Sequence, residues 1–86
     1  MLVFMHITPA QCRAARALVE MDQAALAQVA SVSRNTIVDF EKGKRTPNFN
    51  NLKAIQTALE AAGVIFLPGN GEGPGVRLRS SPSSVG

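Results

Sequence analysis

Eighty-six residues suffice for one domain with a modest core, near the size at which marginal stability is expected. The 45% hydrophobic fraction comes largely from alanine and short aliphatics, and Trp and Tyr are absent, which suits tightly packed helices and argues against a sheet sandwich. A formal charge of +3 and a pI near 9.8 are compatible with a polyanionic partner, but the placement of the charges matters more than their sum. No stretch approaches the roughly 20 apolar residues of a membrane span. The apolar start lacks the basic segment and cleavage site of a signal peptide. A single cysteine, Cys12, excludes an intramolecular disulfide, fits a reducing cytoplasm, and reads as a buried, inert thiol.

In chain order, residues 1–7 are apolar and read as a short strand or a docking arm. His6 at its end reads as a solvent-facing or hydrogen-bonded side chain, because no second metal-ligand type clusters near it. Thr8-Pro9-Ala10-Gln11 opens a first helix: Thr8 caps, Pro9 fits the first helical position, and Gln11 completes a capping box. Its inward residues include Cys12, Ala15 or Arg16, and Val19. Asp22 caps a second helix, with Met21 stapling onto Leu26. Ser33 caps a third, with Val32 stapling onto Ile37, and Asn48 caps a fourth. Gly43 ends the third helix in the left-handed cap position. The fourth carries Phe49, Leu52, Ile55, Leu59 and Ala62 on one stripe and stops at Gly63, where Val64 can fold back onto Leu59.

After Gly63 the pattern changes. Residues 64–67 form a strand-like run, residues 68–75 a glycine-rich loop, and residues 76–79 alternate apolar and basic. That is a hairpin with a wide loop. Two strands alone are marginal, so the hairpin must pack on the fourth helix, the N-terminal strand or a second subunit. The loop has no following Lys-Ser/Thr or helix, so it reads as a turn and not a phosphate cradle. Residues 80–86 form a Ser/Pro/Gly tail expected to be disordered.

The organising stretch is residues 23–42, two short helices joined by a tight turn. Leu26, Ala27 and Ala30 turn inward from the first, Ile37 and Phe40 from the second. The small alanines let the helix backbones cross closely. Arg34, Asn35, Val38 and Asp39 share the opposite face of the second helix.

These parts resemble the Cro/C1-type helix-turn-helix family, the fold of the lambdoid repressors and Cro proteins. The likeness covers residues 8–62. It rests on Gln23, Leu26-Ala27, Ser33-Arg34-Asn35-Thr36-Ile37, and Phe40-Glu41-Lys42-Gly43 followed by Arg45-Thr46-Pro47. It implies a mainly α, lambda-repressor-like bundle of four or five short helices (residues 8–63), with residues 64–79 appended as a β-hairpin. The family usually has Gly where this chain has Ser31. Either that Ser takes a positive φ, at about 1–2 kcal/mol, or the turn is reshaped.

The resemblance implies a sequence-specific regulator that reads double-stranded DNA, with base contacts from Arg34, Asn35, Val38 and Asp39. Arg34 can donate twice to guanine, Asn35 can pair with adenine, Val38 can touch a thymine methyl, and Asp39 either accepts from a cytosine amine or orients its neighbours. Phosphate contacts fall to Gln23 at a helix start, to Ser33 and Thr36, and to Lys42, Lys44 and Arg45 past the helix end. Arg16 and Glu41 would form a structural ion pair. A homodimer would place two reading helices about 34–36 Å apart on a two-fold site. Phe66 and Leu67, with the exposed part of the fourth helix, are the dimer candidates.

The rival reading is a protein-interaction module of antitoxin or anti-activator type that keeps the fold without binding DNA. Asp39 and the small net charge favour it. Catalysis is not expected, because no carboxylate pair or Cys/His cluster converges on a pocket. No cofactor, metal or small-molecule ligand is expected, and the expected location is the bacterial or phage-infected cytoplasm, at the nucleoid.

Overall fold

Each helix begins on a side chain that accepts from its first turn. Thr8 Oγ1 accepts from the Gln11 N–H at 3.0 Å while Gln11 Oε1 accepts from the Thr8 N–H at 2.9 Å, closing the capping box. Asp22 accepts from Ala25 N–H at 2.7 Å, Ser33 from Thr36 at 3.1 Å and Asn48 from Asn51 at 2.8 Å. Each such cap is worth about 1 kcal/mol. The computed structural model describes residues 6–80. The helices are α1 (Pro9–Val19), α2 (Gln23–Ala30), α3 (Arg34–Glu41) and α4 (Phe49–Ala61), followed by strands β1 (Val64–Leu67) and β2 (Gly75–Leu78). Residues 1–5 of the expected N-terminal arm and residues 81–86 of the expected tail lie outside the described residues.

The helix ends are also local. Gly43 has φ +75°, its N–H donates to Phe40 O at 2.9 Å, and the Lys44 N–H donates to Asp39 O at 2.9 Å. Those two bonds satisfy the last carbonyls of α3 as a Schellman motif does. Ser31 has φ +58°, so the turn of the motif keeps its left-handed shape with a Ser in place. Glu20, at the end of α1, has φ +56° as well. No sequence signal marked that residue, because glutamate carries no preference for the left-handed region.

The core joins all four helices to the hairpin. Cys12, Leu26, Ile37, Ile55, Leu59 and Val64 are the largest fully buried side chains, with Ala15, Ala27, Ala30 and Phe40 between them. Burying a side chain such as Ile37 contributes about 1.5–3 kcal/mol. The expected stripe on α4 needs correction. Leu52, Ile55 and Leu59 are buried as expected and Ala58 joins them, but Phe49 is 48% exposed and Ala62 is exposed too. Phe49 is the first residue of α4 and Ala62 its C-cap, the two ends of the stripe. The Phe49 ring meets the His6 ring edge-on, centroids 6.2 Å apart.

The two strands pair antiparallel with Ile65 opposite Arg77 and Phe66 opposite Val76. They pack on α1 as well as α4, which the sequence did not indicate. The reason is Gln11. Its amide nitrogen, buried, donates to Leu67 O at 3.1 Å and to Gly75 O at 2.9 Å, clamping both strands where the loop begins. Arg79 lies just past β2 and not within it; its N–H donates to Gly63 O and its guanidinium to Glu60 O, closing the end of α4. Phe66 and Val76 face the core, so Phe66 is half-buried against its own chain, and Leu67 is half-buried on the other face.

Candidate nucleic-acid interface

α2 packs against both α3 and α4, with its small Ala27 and Ala30 buried. Ile37 at 0% and Phe40 at 2% exposure then fix the rotation of α3 about its own axis. That rotation leaves Arg34 and Asn35 exposed and Val38 and Asp39 half-exposed on one stripe. Among the described residues, the side chains of Arg34, Asn35 and Asp39 have no hydrogen-bond partner. Ser33 and Thr36 differ: their hydroxyls lie 2.8 Å apart and bond to each other while Ser33 caps the helix. Lys42, Lys44 and Arg45 are exposed on the loop that follows.

Beneath this surface lies a charged hub. The Glu41 carboxylate is 3% exposed and accepts from Arg16 Nε at 2.7 Å and Arg16 Nη2 at 2.8 Å, a two-point contact. It also accepts from Gln23 Nε2 at 3.0 Å and from the Cys12 thiol at 3.2 Å. Arg16 Nη1 donates to Met21 O, and the Arg13 guanidinium donates to the Glu41 backbone carbonyl. Burial pushes the Glu41 carboxyl up, yet the hydrogen bonds from Arg16, Cys12 and Gln23 outweigh that and hold it below the usual glutamate range. The hydrogen bond to Glu41 raises Arg16 further. Burial, then the Glu41 hydrogen bond, push the Cys12 thiol far above its ordinary range, so it stays protonated and acts only as a donor.

The hub recruits residues that the sequence assigned elsewhere. Gln23, expected on a phosphate, has its amide nitrogen anchored on Glu41, so its orientation at the start of α2 is fixed from within. Cys12, expected as core filling, is core and also a ligand of the carboxylate. Arg13 carried no expectation. The one available signal was its spacing of three from Arg16 on the same helix.

Two polar recesses flank the outer stripe of α3. One, about 390 Å³, is lined by Arg16, Asp22, Gln23 and Arg34 at the start of α2. The other, about 320 Å³, lies between α3 and α4 and is lined by Asn35, Thr36, Asp39, Arg45, Thr46 and Asn51 among others. The stripe and both recesses carry hydroxyl, amide, guanidinium and carboxylate groups together, a set suited to hydrogen bonding at base edges and phosphates.

The helix-turn-helix family profile matches residues 13–61, from α1 to the end of α4. The chain belongs to the Cro/C1-type helix-turn-helix family. A similar solved structure is the DNA-binding domain of the P22 C2 repressor determined by nuclear magnetic resonance. It is 31% identical, with 67% of this chain and 76% of that domain covered and a TM-score of 0.59. No functionally curated protein matches the sequence. The shared fold is that of the lambda-repressor-like domains, four helices with a small two-stranded antiparallel sheet in this helix-turn-helix protein. No helix among the described residues is long and apolar enough to cross a membrane.

Proposed function

We propose that this protein is a sequence-specific regulator of transcription that binds double-stranded DNA as a homodimer, with α3 in the major groove. The observation that carries the reading is the outer stripe of α3. Three polar side chains, Arg34, Asn35 and Asp39, stand there with no partner among the described residues, on a helix whose rotation the core fixes. Ordered donors and acceptors left open at a rigid surface match the demands of direct readout. The similar P22 domain is described as DNA-binding, which supports the same reading.

Arg34 and Asn35 contact base edges, Val38 adds an apolar contact, and Asp39 accepts from a cytosine amine or orients Arg34 and Asn35. Gln23, held by Glu41, and the backbone N–H groups at the start of α2 receive one phosphate. Ser33, Thr36, Lys42, Lys44 and Arg45 flank the groove on the other strand. The hairpin supplies the dimer surface. Phe66 is committed to the protein's own core, so Leu67 with Ile65, at 36% exposure, offers the apolar contact from the opposite face of the hairpin. Such a regulator works in the cytoplasm, on the nucleoid of a bacterium or on phage DNA.

A mobility-shift titration against duplexes enriched from random DNA tests the reading. Affinity should fall steeply with salt, because phosphate neutralisation releases counterions. Sedimentation should find a dimer at concentrations where the enriched site is bound. The absence of any enriched site would overturn the proposal and favour the rival, a protein-interaction module. Asp39 favours that rival, since a carboxylate on this face repels phosphate.

A further inference from the structure

We propose that base readout is shared between two helices, and that Asn51 on the first turn of α4 is a specificity-determining residue acting beside Asn35. The inference rests on the DNA-binding reading above and extends it to an element outside the helix-turn-helix pair. Asn35, Thr36 and Asp39 line the α3 side of the 320 Å³ cleft, Asn51 lines the α4 side, and Arg45 and Thr46 lie on the connecting loop. A base edge that Asn35 or Asp39 touches toward α4 is therefore within the same cleft as the Asn51 amide.

The start of α4 makes no use of the Asn51 side chain. Its backbone N–H is already satisfied by Asn48 at 2.8 Å. Its side-chain amide, which reaches solvent, has no hydrogen-bond partner among the described residues. Asparagine is also a weak helix former, and a Glu or Gln at this third helical position would have closed a capping box on Asn48. Some neighbouring polar groups are occupied: the Ser33 and Thr36 hydroxyls bond to each other, and the Asn48 side-chain oxygen caps α4, while Asp39 and Arg45 stay open beside them. Two carboxamides in the cleft have both oxygen and nitrogen open, Asn35 and Asn51; Asn48 has only its nitrogen free of a bond. A carboxamide presents a donor and an acceptor in one plane, the arrangement that meets N6 and N7 of adenine.

The test is enrichment of bound duplexes from a random library with the full chain and with Asn51→Ala, followed by titration against single-base variants of the best site. Asn51→Ala should lose discrimination at one base pair by about 5- to 150-fold, the span of one bidentate base contact, and keep the preferences lost in Arg34→Ala. Equal weakening of every sequence would make Asn51 a phosphate contact and overturn the proposal, as would unchanged discrimination. Asn51→Asp provides a second arm if the alanine variant melts early, since an acidic residue is favoured in a first helical turn. It should move the preference toward a pair whose edge donates, such as cytosine N4; unchanged preference overturns the proposal. Failure of the unsubstituted chain to enrich any site overturns the DNA reading itself, and is thereby distinguished from a failure confined to Asn51.

Discussion

On its inner side, α3 presents Glu41, whose carboxylate accepts four hydrogen bonds from three residues on two other helices. On its outer side, one helical turn or so away, the side chains of Arg34, Asn35 and Asp39 have no partner among the described residues. The two sides differ in solvent as much as in partners. A charge out of water is costly unless fully paired, so Glu41 is tolerated only because Arg16, Gln23 and Cys12 surround it. Arg34 and Asn35 lie in water, where an unpaired polar group costs nothing until a ligand displaces the solvent. Polar groups of the first kind hold the helices in register, and those of the second remain available to something else.

That contrast predicts that substitutions on the inner side cost stability and those on the outer side cost recognition. The largest effect should come from Glu41→Ala. It leaves Arg16 without its carboxylate and should cost about 3 kcal/mol, the low end for a broken buried pair because the Arg16 side chain is 20% exposed. Urea unfolding measures it, and a loss under 1 kcal/mol would remove the hub from the stability argument. Acid should act through the same group. The folded Glu41 titrates below its unfolded value, so its contribution is complete above the ordinary glutamate range near pH ~4.3 and is lost as pH falls through the depressed folded value. Urea midpoints should therefore drop below that pH in the native chain and drop less in Glu41→Gln.

Arg34→Ala sharpens the comparison from the other side. It should relax one base preference by about 1–3 kcal/mol while leaving unfolding unchanged to about 0.5 kcal/mol; Lys44→Ala should instead weaken all sequences alike. Fluorescence anisotropy with matched and mismatched duplexes separates the two, and a large stability loss in Arg34→Ala would erase the distinction between the sides. Gln11→Ala, which frees the hairpin from α1, should cost about 1–2 kcal/mol, with faster hydrogen exchange at the Ile65 and Arg77 amides. The smallest effect is expected at Ser31→Gly. Relief of the left-handed strain, partly offset by glycine's greater chain entropy, should stabilise by about 0.5–1 kcal/mol. A thermal shift assay reads it as a raised midpoint.

Much of this was legible from sequence because it is local. Thr8, Asp22, Ser33 and Asn48 each bond to an N–H three residues on, and Gly43 folds back within its own helix end, so short patterns carry the information. The periodicity that buries Ile37 and Phe40 is also local, and it places Arg34 and Asn35 outside. The stripe on α4 was read less well at its ends: periodicity says which side of a helix is apolar, not how far the neighbouring helix extends along it. Phe49, the first residue of α4, and Ala62, its C-cap, are exposed at the two ends of the stripe. Phe66 shows the same limit on a strand, since alternation divides two faces without telling which one meets the core.

By itself, then, the chain's order of residues determined the starts and stops of the helices, the side of each that is apolar, and the family to which they belong. These follow from hydrogen bonds and side-chain spacings that span three or four residues. Only the tertiary structure decided that Gln11 clamps a hairpin 56 to 64 residues away, that Cys12 and Gln23 join Arg16 on one carboxylate, and that Asn51 shares a cleft with Asn35. Those assignments depend on which distant group reaches a given donor first once the core has packed, and no short-range pattern encodes that.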